Sequence, residues 1–172
     1  MKQVVTVKRH ALAANEEHAE LLRRRFADSG TLAVNLISSP GSGKTTLLEA
    51  TIRALRGTLS CAVIEGDVAT ENDANRIRAL GVPAHQILTG GACHLDARLV
   101  RSGLAEGEIP EADLLFIENV GNLICPTTYD LGEDFKVVVL SVTEGEDKPV
   151  KYPAIFSRAE VAVISKADLL PH

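Results

Sequence analysis

The sequence predicts an α/β protein, with a mostly parallel central sheet and helices on both faces. Three observations point there: short apolar runs rich in β-branched residues, helical segments between them, and a glycine-rich turn directly after the first run. The leading segment, residues 1–30, reads as helical. Leu12, Leu21, Leu22 and Phe26 recur at helical spacing among charges, and Asp28-Ser29-Gly30 supplies a stop. Residues 32–37, 61–64, 114–117, 137–142 and 161–164 then read as buried strands, with helices beginning near Gly43, Glu71, His94 and Lys148.

The 172 residues fit one domain, and 45% hydrophobic with 24% charged residues suffices for a real core. A net charge of -5 and a pI near 5.5 leave no electrostatic footprint for a polyanion, so no nucleic-acid partner is expected. No stretch approaches the ~20 apolar residues of a membrane span, so no membrane association and a cytoplasmic location are expected. Cys61, Cys93 and Cys125 are odd in number and widely spaced, which suits reduced thiols or metal ligands better than a disulfide framework.

The first apolar run enters Ser38-Ser39-Pro40-Gly41-Ser42-Gly43-Lys44-Thr45-Thr46 and then helix formers. This order is that of a phosphate-binding loop, G-x-x-x-x-G-K-[ST], with Ser38 in the first glycine position. Backbone N–H groups of Gly41, Ser42, Gly43, Lys44, Thr45 and Thr46 converge on phosphate, Lys44 reaches the outer phosphates, and the Thr45 hydroxyl binds magnesium (Mg2+). The ligand is a purine nucleoside triphosphate.

Two acidic residues are candidates for the metal and the catalytic centre alongside Lys44. Asp67 follows the second strand, where ligands gather in open α/β sheets, and either completes the magnesium shell or caps the next helix. Glu118 ends the apolar run DLLFIE before Asn119-Val120-Gly121, in the place of a metal-linked carboxylate and a γ-phosphate-sensing glycine; the alternative is a carboxylate satisfied by a helix terminus. No residue stands out as the base that activates water.

After the last strand, Ser165-Lys166-Ala167-Asp168 resembles the [N/T/S]-K-x-D element by which GTP-binding proteins read guanine. Asp168 accepts from the ring N–H and exocyclic amine of guanine, adenine would leave it unmatched, and Lys166 packs along the base. Ser165 stands where asparagine is commonest, so a weaker grip on the loop and reduced guanine affinity are expected.

Cys61 lies in an apolar strand and reads as core. Cys93-His94 follows two glycines and Cys125 precedes Pro126, in loops near the nucleotide. Thiolates and imidazole suit nickel or zinc, yet one chain supplies three such ligands, and the spacing alone leaves metal binding and an incidental Cys-His pair both open.

The stretches SSPGSGKTT, EGDVATENDA, GGACHLDA, FIENVGNLICP and EDKPVKYP together resemble the HypB family, the nickel-incorporation GTPases of nickel-iron hydrogenase maturation, related to the urease GTPase UreG. The likeness covers nearly the whole chain. It implies a nucleotide- and metal-favoured homodimer whose interface holds Ni2+ or Zn2+ on Cys93, His94 and Cys125. It also implies slow hydrolysis of GTP to GDP and phosphate, and nickel delivery with a HypA-like chaperone to the hydrogenase large subunit precursor. The family usually continues past the guanine-reading aspartate into further elements that are missing after Asp168, so an incomplete C-terminal sheet edge is expected. With only His10 and His18 before the phosphate loop, nickel storage is not expected. A UreG-like urease chaperone and a nucleotide- and metal-binding adaptor without effective hydrolysis are the alternatives; a small-molecule kinase lacks an arginine-rich lid.

Overall fold

The computed structural model describes residues 2–67 and 72–170, with side chains from His10 onward. In chain order the elements are α1 (Lys2–Ser29), β1 (Leu32–Ser38), α2 (Lys44–Leu55), β2 (Cys61–Asp67), α3 (Asn72–Arg78), β3 (Ala84–Leu88), α4 (Ala97–Glu106), β4 (Leu114–Glu118) and β5 (Phe135–Ser141). The single-turn helices α5 (Lys148–Lys151) and α6 (Pro153–Phe156) and the strand β6 (Val161–Ser165) follow. One open sheet results, in the order β3-β2-β4-β1-β5-β6, and every pairing is parallel.

Both faces of the sheet are covered, which is why its central strands are continuous apolar runs. On one face Ala33, Ala62, Ile64, Leu115 and Ile117 pack under Leu22 and Phe26 of α1 and Val100 and Leu104 of α4. On the other, Val34, Leu36, Val63 and Phe116 meet Leu48 and Ile52 of α2 and Ile77 of α3. The buried stripe of α1 falls on Ala19, Leu22 and Phe26, while Leu21 is turned to solvent. The helix ends at Gly30 as expected, with φ 69° and the Thr31 N–H returning to the Phe26 carbonyl at 2.9 Å.

Three elements differ from the sequence reading. Strand β3, Ala-His-Gln-Ile-Leu, is not anticipated, because an edge strand has one neighbour and carries polar residues that blur the apolar signal. The helix expected near His94 starts at Ala97, since Asp96 caps it by accepting from the Leu99 N–H at 2.7 Å, a contact worth about 1 kcal/mol. The helix near Lys148 divides at Tyr152, whose backbone (φ -124°, ψ 51°) leaves the helical region that a following proline disfavours. The expected helix start at Glu71 lies outside the described residues; α3 is described from Asn72. At the sheet edge Val161 and Ile164 of β6 are exposed. Among the described residues no helix is long and apolar enough to cross a membrane.

Candidate nucleotide and metal sites

Strand β1 ends at Ser38, and the loop to α2 makes its turns through glycine. Gly41 has φ 74°, and Gly43, the N-cap of α2, has φ 91°, a region other residues enter at a cost. No side chain caps α2, so its first N–H groups remain directed at the loop, as an anion site requires. Lys44 and Thr45 are buried, and Lys44 Nζ donates to Ser38 Oγ at 3.0 Å. Ser38 in the first glycine position therefore gives the lysine a resting partner.

Parallel register places Glu65 of β2 directly beside Glu118 of β4. Both are buried at the carboxyl ends of their strands. The Thr45 hydroxyl donates to Glu118 Oε1 at 3.0 Å, and Lys44 Nζ stands 3.8 Å from the same oxygen. Burial, then the charge of Glu118, pushes the Glu65 carboxyl up to about 10, so it keeps its proton and hydrogen-bonds to Glu118. Burial also raises the Glu118 carboxyl, while Lys44 and Thr45 favour its ionised form. At Glu118 the lysine and the threonine hydroxyl thus work against burial, on the carboxyl oxygen that faces Lys44.

Glu65, Asp67 and Glu118 line, with Gly41, Gly43 and Lys44, a cavity of about 410 Å³ that Asp73 and Arg76 of α3 close from the side. Glu65 Oε1 and Glu118 Oε2 are buried there without a hydrogen-bond partner. The orphaned Glu118 oxygen, the Thr45 hydroxyl and the Asp67 carboxyl form an oxygen-rich set that fits magnesium. Gly121 closes the far wall; a side chain there would meet the Pro40 backbone at 2.9 Å.

The Ser165–Asp168 loop stands on the other side of the phosphate loop. Ser165 Oγ donates to the Ser42 carbonyl at 2.6 Å, and Lys166 Nζ to the Gly41 carbonyl at 2.9 Å. The serine therefore does hold the loop, through a contact that the comparison with asparagine does not suggest. Asp168 is exposed on the turn Ala167–Leu169, outside the cavity that holds Lys44 and Glu118. From a third direction Glu144 receives the Ser42 hydroxyl at 2.5 Å and the Ser141 N–H at 2.9 Å, with Lys148 at 3.6 Å. Burial opposes its ionisation, but hydrogen bonds from Ser39 and Ser42 outweigh it and hold the carboxyl below the usual range.

Cys93, His94 and Cys125 converge, with their ligand atoms all within 4.8 Å of one another. The two sulfurs are 2.9 Å apart, and His94 Nδ1 is 3.7 Å from Cys93 Sγ. The His94 ring stacks on Tyr129 with centroids 4.0 Å apart. Burial holds its pKa below the ordinary value against the pull of Asp96, which favours the neutral imidazole a metal takes. Two sulfurs and an imidazole fit a borderline-soft ion such as nickel or zinc. Cys61 lies apart, buried in β2.

Asn119 joins the two sites. Its Oδ1 accepts the Leu95 N–H at 3.0 Å, next to His94, and its Nδ2 donates to Asn35 Oδ1 of β1 at 3.3 Å. Further along, Asn122 Nδ2 donates to the Cys93 carbonyl at 3.2 Å. Residues 118–125 thus run from the carboxylate beside Thr45, past the phosphate loop, to the second thiol. Glu65, Glu144 and the tether role of Asn119 are not evident from the sequence; of these Glu65 alone leaves a signal, closing an apolar run in Ile-Glu as in β4.

A parallel sheet with a lysine-bearing glycine loop at the end of its first strand, opposed by carboxylates on neighbouring strands, defines a P-loop nucleotide-binding protein. Residues 32–172 match the family model described as the CobW/HypB/UreG nucleotide-binding domain. The chain is 53% identical over 171 residues to the hydrogenase maturation factor HypB of Rhizobium leguminosarum bv. viciae, covering 99% of this chain and 57% of that protein. It is 44% identical over 173 residues to the hydrogenase/urease maturation factor HypB of Helicobacter pylori, covering 98% of this chain and 71% of that one. The crystal structure of Helicobacter pylori HypB in complex with nickel superposes with a TM-score of 0.86 at 44% identity, over 92% of this chain and 74% of that chain. The chain therefore belongs to the HypB hydrogenase maturation factors of the CobW/HypB/UreG family. It spans little more than half the length of the Rhizobium relative.

Proposed function

We propose that this chain is a metal-regulated GTPase that hydrolyses GTP to GDP and phosphate and assists nickel insertion into nickel-iron hydrogenase. The observation that carries the proposal is the direct tie between the two sites: residues 118–125 hold Glu118 against Thr45 at one end and Cys125 against Cys93 at the other. Lys44 moves from Ser38 to the outer phosphates and offsets charge on the transferring group. Magnesium, when bound by Thr45, Asp67 and Glu118, neutralises phosphate charge. The N–H groups of residues 41–46 orient the phosphates, and Asp168 selects guanine while Lys166 lies along the base.

Cys93, His94 and Cys125 hold the nickel or zinc ion. A state change at the γ-phosphate, sensed at Gly121 beside Pro40, shifts the loop that carries Cys125 and so changes the grip on the metal. The working form is a cytoplasmic homodimer that receives nickel with a HypA-like chaperone and acts on the hydrogenase large subunit precursor. A urease client is the second reading, supported by the hydrogenase/urease name of the Helicobacter pylori relative. Single-turnover hydrolysis of GTP and ATP, with and without nickel, tests the activity. GTP-selective turnover that responds to nickel supports it; nucleotide and metal binding with no turnover leaves an adaptor in its place.

A further inference from the structure

We infer that Cys93 and Cys125 are a redox modification site, closing into an intramolecular disulfide in competition with metal. The competition rests on the metal-ligand reading above; the pairing of the two sulfurs does not.

The geometry lies between the two states. The sulfurs are 2.9 Å apart, whereas a disulfide bond is about 2.05 Å long. Two thiolates on a tetrahedral zinc, with Zn–S bonds of about 2.3 Å, stand about 3.8 Å apart. Small side-chain rotations therefore reach either arrangement. The backbone is already in place without either bond, because Asn122 Nδ2 binds the Cys93 carbonyl at 3.2 Å and receives support from its own Oδ1 on the Ile124 N–H at 2.8 Å. Asn119 fixes Leu95 on the other side of the pair. Cys93 is exposed to a soluble oxidant and Cys125 is half-buried behind it, while Cys61 is buried in the sheet. Burial pushes the Cys61 thiol up and makes it a poor nucleophile. The site is thus selective for two of the three cysteines.

The oxidant is a low-molecular-weight disulfide, RSSR. The Cys93 sulfur attacks one of its sulfurs, the RS–SR bond breaks, and one RS⁻ leaves. The Cys125 sulfur then attacks Cys93 and releases the second RS⁻. Two thiol protons pass to the two leaving groups, so the protein loses two electrons and two protons and RSSR becomes two RSH. The new bond consumes two of the three candidate ligands, so the oxidised chain loses its hold on metal; metal on both sulfurs in turn blocks the first attack.

The test exposes the whole reduced chain to glutathione disulfide and follows it by intact mass, peptide mapping and non-reducing gels. The expected product is monomer-sized chain short of two hydrogens, with the bond mapped to Cys93 and Cys125, Cys61 still alkylatable, and full reversal by dithiothreitol. Cys125→Ser is expected to stop at a single glutathione adduct on Cys93. One equivalent of nickel or zinc is expected to slow closure at least about tenfold. Stable glutathione adducts on both cysteines, or a disulfide between two chains, would overturn the pairing. Closure at an unchanged rate with metal would overturn the competition and, with it, the metal-ligand reading, while the pairing would stand.

Discussion

Asn119 Oδ1 accepts the Leu95 backbone N–H at 3.0 Å, with Asn119 itself 1% exposed. A buried side chain next to Glu118 therefore fixes the residue next to His94, and its other end binds Asn35 in the central strand. Asn119→Ala leaves the Leu95 N–H and Asn35 Oδ1 without this partner, and each buried unsatisfied group costs about 1–3 kcal/mol. The expected loss is about 2–4 kcal/mol in urea unfolding, together with weaker metal binding at an unchanged Cys93-His94-Cys125 set. A variant as stable as the parent would show that the tether carries no strain between the sites.

The Glu65–Glu118 pair makes a pH-dependent prediction. Below about pH 4.5, the ordinary glutamate value, Glu65 is protonated in both the folded and unfolded chain. As the pH rises from there towards about 10, the unfolded chain ionises while the folded chain keeps its proton, so stability falls. Glu65→Gln keeps a donor for Glu118 and has no proton to retain. Its stability advantage is expected to open above about pH 4.5 with a slope of up to about 1.4 kcal/mol per pH unit. Parallel stability curves for the two proteins would show that Glu65 titrates normally.

Lys44 is buried, with Ser38 and Glu118 its polar partners among the described residues, which leaves its charge available to a ligand. Lys44→Ala is expected to weaken GTP binding at least about a hundredfold, or about 2.7 kcal/mol, by calorimetric titration. Unchanged titration with nucleotide would sink the phosphate-loop assignment.

Asp168 is exposed on a turn that Ser165 and Lys166 tie to the phosphate loop, an arrangement suited to reading the edge of a base. Asp168→Ala is expected to cut the preference for GTP over ATP by about tenfold to a hundredfold, through loss of two charge-assisted hydrogen bonds. Competition of both nucleotides against a fluorescent analogue reads this directly. Equal affinity for ATP and GTP in the parent chain would remove the guanine claim.

Much of this was legible in the residues because local order carries it. Glycines followed by Lys44-Thr45 after an apolar strand specify a loop whose backbone must enter the left-handed region, and Gly43 does. Glu118 is visible because a carboxylate after four apolar residues has no packing role. Glu65 carries the same mark, yet Asp67 two positions later draws the metal role to itself. The alignment of Glu65 with Glu118 depends on strand register, which links residues 53 positions apart. Strand β3 escapes notice because His85 and Gln86 interrupt its apolar pattern; burial of Gln86 follows from its bond to the Glu65 carbonyl at 3.4 Å. The spacing of Cys93 and Cys125 is likewise silent until β4 returns the chain beside the loop after β3. The same holds for Asn119, whose side chain is read only once both loops have met.

In the proposed function, nucleotide state and metal grip are coupled through residues 118–125. The most direct measurement is nickel affinity of the whole chain with magnesium and either a non-hydrolysable GTP analogue or GDP, at fixed pH and protein concentration. The two dissociation constants are expected to differ by at least about fivefold, a coupling of about 1 kcal/mol, and Asn119→Ala is expected to bring them together. Equal nickel affinities in the two nucleotide states of the parent chain would contradict it.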